Sequence, residues 1–156
     1  MKTNISKTIF LLALSTILFF ACDKTKIDEF DYTASEIEID EFSFILEAYV
    51  WRDFMPGLNN DSRMMSMNRL VDINHNDISS RFEMKKQFII LRDDIWESDY
   101  GAISTYTPNY TIENSSREGP EWDTGERVKV VCQFIDNLTG EEYRIMLNDQ
   151  VINRTE

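Results

Sequence analysis

Oxygen-bearing side chains recur at alternate positions in the segment DINHNDISSRFE. The first, third, fifth and twelfth places of an EF-hand calcium loop are matched by Asp72, Asn74, Asn76 and Glu83. Such ligands can wrap a hard cation, and a terminal glutamate can bind it with both carboxylate oxygens. The sixth place usually holds Gly because the loop turns sharply there, and here it holds Asp77. The segment therefore favours an Asn/Asp-rich β-turn, with a calcium site as the alternative.

A second group of candidate residues is aromatic and lies within residues 98–125, a polar and turn-rich part of the chain. Rigid aromatic rings among Ser, Thr, Asn and Gly are typical of adaptable recognition surfaces. The candidate ligand-binding residues are Tyr106, Tyr110 and Trp122. The alternative is that these rings pack in or beside a core, since large aromatic side chains favour burial.

Residues suited to nucleophilic catalysis are scarce. His75 is the only histidine, and it lies in a polar turn. Cys132 lies in the alternating run VKVVCQFID, where a cysteine ordinarily acts as a small buried hydrophobe. The 28 acidic residues allow a carboxylate pair for glycan hydrolysis, but their number singles out no pair. We therefore expect a protein that is not an enzyme and carries no cofactor, with a carboxylate-based glycan hydrolase as the alternative.

The N-terminus has the pattern of a secretory signal. Two lysines precede the apolar block IFLLALSTILFFA, which is followed directly by Cys22. A transmembrane helix needs about 20 apolar residues, so this shorter block suits the core of a signal peptide. Ala21 before Cys22 resembles the lipobox of bacterial lipoproteins, in which cleavage frees the cysteine for lipid modification. We expect residues 1–21 to be a signal peptide and Cys22 to be lipidated, with an uncleaved anchor or an ordinary signal as alternatives.

The chain is acidic, with a net charge of −12. Removing residues 1–21 removes two lysines and no acid, so 14 basic and 28 acidic side chains remain and the net charge becomes −14. Nucleic acid and anionic membrane surfaces both attract Lys and Arg, so neither is an expected electrostatic partner. Residues 22–41 contain eight acids and predict an acidic tether. The remaining length suits one domain at residues 42–156.

Alternating apolar residues after residue 42 predict strands rather than helices. The run FSFILEAYVWRDF fits either period, but its aromatic and Val content favours a strand with Tyr49 and Trp51 on one face and Leu46 and Val50 on the other. Clear alternation follows in MSMNRLVDI, RFEMKKQFIIL, RVKVVCQFID and EYRIML, and DNLTGEE between the last two predicts a hairpin. Short strands separated by turns indicate an all-β fold, a single antiparallel sandwich.

Several segments carry a family resemblance: YVWRDFMPG (49–57), DDIWES (93–98), the block from Gly119 to Thr155, and the lipobox. Together they resemble a family of small uncharacterised Bacteroidota lipoproteins. The resemblance implies an immunoglobulin-like β-sandwich in the cell envelope and brings no catalytic motif with it. We expect the outer membrane, with the periplasmic or surface side left open.

The combined expectation is a lipid-anchored cell-envelope protein that acts as a non-catalytic binding or structural module. Its expected partners are the membrane, through lipidated Cys22, and an envelope protein or glycan. The alternatives are the glycan hydrolase and a calcium-stabilised carbohydrate-binding accessory protein.

Overall fold

The computed structural model describes residues 30–31, 33–54, 62–100 and 108–155. The chain divides into two compact units, residues 1–32 and 33–156. The described residues of the first unit, Phe30 and Asp31, form a turn. The second unit holds eight strands, and the part of the chain that the structure describes contains no helix. The predicted all-β class is confirmed.

The strands of the second unit, in chain order, are β1 (Glu36–Ile39), β2 (Phe42–Asp53), β3 (Met64–Asp72), β4 (Phe82–Leu91), β5 (Asp94–Asp99), β6 (Thr111–Gly119), β7 (Arg127–Asp136) and β8 (Glu142–Thr155). They form one curled sheet in the order β5-β4-β7-β8-β2-β3-β6, and β1 pairs with the first residues of β2.

One strand pairing corrects the expectation of a wholly antiparallel fold. The last residues of β8 pair in parallel with the last residues of β2. Val50 lies opposite Ile152 at one end of this pairing, and Asp53 lies opposite Thr155 at the other. All other pairings are antiparallel. Because β1 occupies only the first residues of the β2 edge, the rest of that edge is open to β8, which arrives from its hairpin with β7 in the same direction as β2. The sheet is therefore mixed.

The first strand lies inside the segment predicted to be a tether. Strand β1 pairs with residues 42–45 across a tight turn, and Asp40 in that turn has a φ of 51°. Ile39 is buried in the core, which anchors the strand. Among the described residues, β structure therefore begins at Glu36, before the predicted start of the domain at Phe42.

The core lies between the inward faces of the curled sheet. Inward-facing aromatic rings meet at its centre: the ring centroid of Phe44 on β2 lies 4.8 Å from that of Phe82 on β4 and 5.4 Å from that of Phe134 on β7. Edge-to-face and tilted contacts of this kind add about 0.5–1.5 kcal/mol beyond the burial of area. The alternation predicted in RVKVVCQFID is confirmed, since its apolar residues Val128, Val130, Cys132 and Phe134 all lie in this core.

Strand β4 changes phase along its length. Phe82 and Met84 face the core, a bulge follows between Met84 and Lys86, and from there Ile89 faces the core. A bulge inserts one residue and so moves the following side chains to the opposite face. This explains why Lys86 interrupts the alternation in RFEMKKQFIIL.

Candidate functional site

The two predicted recognition residues that the structure describes, Tyr110 and Trp122, do not share one surface. Tyr106 lies outside the described residues. Tyr110 lies just before β6, where the centroid of its ring is 4.4 Å from that of His75. Trp122 lies just past the other end of β6 and packs against the core. Strand β6 has nine residues and is on the order of 30 Å long, so Tyr110 and Trp122 face different ends of the molecule.

A buried arginine fixes the loop that carries Trp122. Arg52 on β2 donates hydrogen bonds to the carbonyl oxygens of Glu121 at 3.1 Å and Trp122 at 3.0 Å. It also donates to the carbonyl oxygen of Ser62 at 2.6 Å. The guanidinium thus ties two loops to the end of the sheet, and the partly buried ring of Trp122 packs against the core.

The candidate calcium loop is a capped turn. Asp72 is fully buried, and its two carboxylate oxygens accept hydrogen bonds from the backbone N–H groups of Ser43 and Asn76, each at 2.7 Å. The side chains of Asn74 and Asn76 both donate to the carbonyl oxygen of Glu41 at 3.2 Å. These hydrogen bonds form an Asn/Asp-rich turn, the interpretation that the sequence favours for this segment.

The fourth candidate ligand lies on a strand. Glu83 is on β4 and forms an ion pair with Lys85 at 2.7 Å. The residue of the loop with a positive φ is His75, at the fourth place of the calcium pattern, with φ 60°. Within residues 30–31, 33–54, 62–100 and 108–155, no group of three His, Cys, Asp or Glu side chains could hold a metal ion.

Cys132 has none of the properties of a reactive thiol. It is fully buried, and burial raises the pKa of the thiol to about 12, although a hydrogen bond with the hydroxyl of Tyr100 opposes the shift. The thiolate is the nucleophilic form, so at neutral pH this cysteine is protonated and inert.

The outward side of β2 and β3 carries an apolar surface that sequence reasoning did not select. On β3 the inward positions are Met64, Ser66, Asn68, Leu70 and Asp72, all buried. The alternating Met65, Met67 and Val71 lie on the opposite side. The strand itself was predicted, but the apolar side of the alternation faces outward.

Register pairs these residues with the outward residues of β2. Trp51 lies opposite Met65, Tyr49 opposite Met67, and Ile45 opposite Val71. Tyr49 is 40% exposed, and its ring centroid is 5.2 Å from that of Trp51. We define the outer apolar face as Ile45, Tyr49, Trp51, Met65, Met67 and Val71.

A pocket opens within the outer apolar face. It has a volume of about 110 Å³ and is lined by Glu47, Ala48, Tyr49, Met67 and Arg69. The guanidinium of Arg69 donates a hydrogen bond to the carboxylate of Glu113 on β6, and it lies 3.9 Å from the carboxylate of Glu47. The pocket thus combines an aromatic ring with charged donor and acceptor groups.

The residues of this pocket left only a partial signal in the sequence. The strand reading of FSFILEAYVWRDF places Tyr49 and Trp51 on one face, and Arg69 appears as a polar exception within an apolar alternation. The pairing of Glu47 with Arg69 depends on the register of β2 against β3, which the sequence did not predict.

No helix among the described residues is long and apolar enough to cross a membrane. Comparisons with protein-family models, with curated proteins and with solved structures found no match to this chain.

Proposed function

We propose that this protein is a lipid-anchored, non-catalytic binding module of the bacterial cell envelope, and that it binds a glycan at the outer apolar face. One observation carries the choice of ligand: the ring of Tyr49 and the ion-paired Arg69 line the same open pocket. The binding surface is therefore the sheet face of β2 and β3, rather than the loops around Tyr110 and Trp122.

A sugar ring matches both halves of this pocket. Its C–H face can pack on the aromatic ring of Tyr49, which lines the pocket and supplies rigid contact area at little cost in conformational entropy. Its hydroxyl groups can donate to Glu47 and accept from Arg69, and hydrogen bonds to charged groups are the stronger kind. Small-molecule sites generally combine an apolar wall with a few placed polar groups in this way.

The non-catalytic part of the proposal rests on the nucleophile and base candidates. The thiol of Cys132 is buried and protonated at neutral pH. His75 lies against Tyr110, at the turn that ends β3 rather than in the pocket.

The anchoring part rests on the sequence. Cys22 lies outside the described residues, and β1 begins at Glu36. The carbonyl oxygen of Ala34 accepts a hydrogen bond from the backbone N–H of Met146 at 2.9 Å, so residues 22–33 are the segment that would link a lipid at Cys22 to the strands. Labelled palmitate should enter the protein and should be absent from a Cys22→Ala variant, while equal labelling of both would contradict lipidation.

The finer fold assignment is an immunoglobulin-like sandwich. Two sets of strands support it: β6-β3-β2 with β1 on one side, and β5-β4-β7-β8 on the other. The chain crosses between the sets after β3, after β5 and after β6. Such crossings between two antiparallel layers are the Greek-key pattern of these folds. A crystal structure should show two layers about 10 Å apart, and a single open layer would contradict the assignment.

The glycan proposal is tested by binding. Cys22→Ala protein expressed without residues 1–21 is applied to a glycan array, and calorimetry on the best ligand then compares variants. Tyr49→Ala and Arg69→Ala should each weaken binding by about tenfold or more, which corresponds to about 1.4 kcal/mol. Tyr110→Ala is the matched control, because it removes a tyrosine ring that lies just before β6 and outside the pocket. This variant should bind the glycan as tightly as the parent protein does.

The outcomes separate the alternatives. An array without any bound glycan, or a loss at Tyr110→Ala with none at Tyr49→Ala, would contradict the proposed site. Release of shorter products from the bound glycan would instead favour the hydrolase.

A further inference from the structure

Polar side chains fill part of the interior where an apolar core would be expected. They come from three strands, and each is at most 5% exposed: Ser66 and Asn68 on β3, Gln87 on β4, and Asn114 and Ser116 on β6. We call these five residues the interior polar cluster.

The cluster is partly connected by hydrogen bonds. The amide oxygen of Gln87 accepts from the hydroxyl of Ser66 at 2.7 Å and from the side-chain amide of Asn68 at 2.6 Å. The same Asn68 amide donates to the hydroxyl of Tyr100 at 3.1 Å, which in turn contacts the thiol of Cys132. These bonds link β3 to β4 across the interior.

Four buried atoms of the cluster have no protein partner: Asn68 Oδ1, Gln87 Nε2, Asn114 Oδ1 and Ser116 Oγ. Asn68 lies opposite Asn114 in the pairing of β3 with β6, and Ser66 lies opposite Ser116. Three of the four atoms therefore come from adjacent inward positions of two paired strands, and Gln87 reaches the same place from β4.

Reversing the amide groups of Asn68 and Gln87 together does not remove the unpaired atoms of these two side chains. If the oxygen and nitrogen of both Asn68 and Gln87 are exchanged, their mutual hydrogen bond survives with the opposite direction. One atom on each side chain is then still unpaired. Buried polar groups almost always have a partner, either protein or ordered water.

The unpaired atoms define the chemistry of the missing partner. Two are carbonyl oxygens that accept, one is an amide group that donates, and one is a hydroxyl that can do either. None of the five residues is charged, so an ion would find no opposite charge here and would be costly to bury. A partner that donates and accepts without carrying charge is water.

We propose that the interior polar cluster is an internal water-binding site. Buried water typically makes about three hydrogen bonds, so about one or two molecules would satisfy the four atoms. The bound water bridges β6 to β3 and β4, and it fixes the edge strand by hydrogen bonds that a dry apolar core would not supply. The site is independent of the proposed glycan pocket on the outer side of the sheet.

The test is water–protein cross-relaxation measured by NMR on the Cys22→Ala protein. The side-chain amide protons of Gln87 should show a cross-peak to water with the sign of a long-lived, immobilised molecule. The exposed side-chain amide of Asn148 is the reference for ordinary surface hydration and should show the opposite sign. A resolved Gln87 amide without a long-lived water cross-peak would overturn the proposal.

Two variants locate the water. Asn114→Leu replaces the amide with an apolar group of similar size and should abolish or strongly reduce the Gln87 cross-peak. Ser116→Ala is the milder change, and it gives the same test if Asn114→Leu fails to fold. Ser115→Ala, at the exposed neighbouring position, should leave the cross-peak unchanged. An undiminished cross-peak in every variant that folds, Ser116→Ala included, would contradict a water bound at this cluster.

Discussion

At the scale of single residues, Asp136 shows how the fold stabilises a buried charge. The carboxylate is fully buried at the end of β7 and accepts hydrogen bonds from Arg81 Nε at 3.0 Å and from the backbone N–H of Leu138 at 2.8 Å. The hydrogen bonds from Arg81 are the main cause that lowers the pKa of Asp136 from 3.8 to about 2, against the opposing effect of desolvation. The ion pair joins the turn before β4 to the hairpin between β7 and β8.

This lowered pKa predicts a pH dependence of stability. The folded state holds the Asp136 proton less tightly than the unfolded chain, so the stabilisation is present above pH 3.8 and is lost as pH falls to about 2. Asp136→Asn should lower the melting temperature at pH 7 by roughly 5 °C or more and should reduce the loss between pH 4 and pH 2. Circular dichroism melts at pH 7, 4, 3 and 2 measure both effects.

The matched control for Asp136 is Asp94→Asn, which changes an exposed carboxylate at the start of β5. It should leave the melting temperature within about 1–2 °C of the parent, because substitutions at exposed positions usually change the free energy of unfolding very little. Equal losses for the two variants would contradict a specific role for the Arg81–Asp136 pair.

Gly119 gives a second prediction at the residue scale. A Cβ at this position would lie 2.8 Å from three ring atoms of Trp96, and that ring is packed against the core. Gly119→Ala should therefore destabilise the fold by about 1–3 kcal/mol through overpacking, as measured by urea unfolding. The same change in a Trp96→Leu background should cost much less, since the ring is gone. Equal costs in both backgrounds would show that the contact with Trp96 is not the cause.

At the scale of elements, alternation was sufficient to predict strands but not to orient them. The hairpin of β7 and β8 was predicted because Val128 to Phe134 alternate cleanly, and Gly140, with φ 77°, lies in the turn. In β3 the prediction of a strand was right, yet Asn68 faces inward and Met67 outward. Alternation with a period of two shows that a strand has an apolar and a polar face. Which face is buried depends on strands far away in the sequence that pack against it.

The candidate site follows the same rule. Tyr49 and Trp51 could be placed on one face from their spacing alone. The register of β2, β3 and β6 determines the rest of the site. It places Met65 and Met67 beside the two rings, and it brings Arg69 close to Glu47 and Glu113. Likewise, the interior polar cluster draws on three strands, and no local pattern marks its members.

The turn after β3 offers a prediction that separates its two interpretations. If Asp72 acts as a cap, Asp72→Asn should lower stability in the absence of calcium by about 1.5–3 kcal/mol, because the hydrogen bonds from the Ser43 and Asn76 N–H groups lose their charged acceptor. Urea unfolding in a chelating buffer measures this loss.

The control is Glu83→Gln, which affects the calcium pattern but not the cap. It should leave stability nearly unchanged, and millimolar calcium should shift the melting temperature of no variant. A rise for the parent protein that both Asp72→Asn and Glu83→Gln abolish would establish the calcium site instead.

At the scale of the whole molecule, the short parallel pairing of β2 with β8 joins the two sets of strands. On one side β2 continues to β3 and β6, and on the other β8 continues to β7, β4 and β5. The same end of β8 is hydrogen-bonded to the segment before β7. The backbone N–H of Gly125 donates to the carbonyl oxygen of Ile152 at 2.8 Å, and the N–H of Ile152 donates to the carbonyl oxygen of Glu126 at 2.9 Å. This end of β8 therefore links the two sets of strands to each other and to the segment before β7.

Truncation should therefore destabilise the whole unit rather than fray one end. A chain ending at Val151 lacks Ile152, which is 1% exposed in the core, and it lacks all four parallel register pairs. Losing the Ile152 side chain alone costs about 2–5 kcal/mol, a large part of the typical stability of a domain. We expect loss of the cooperative thermal transition by circular dichroism together with exposure of tryptophan by fluorescence. A chain ending at Thr155 is the control and should melt as the parent does. If the chain ending at Val151 kept a cooperative transition within a few degrees of that control, β8 would not be what holds the two sets of strands together.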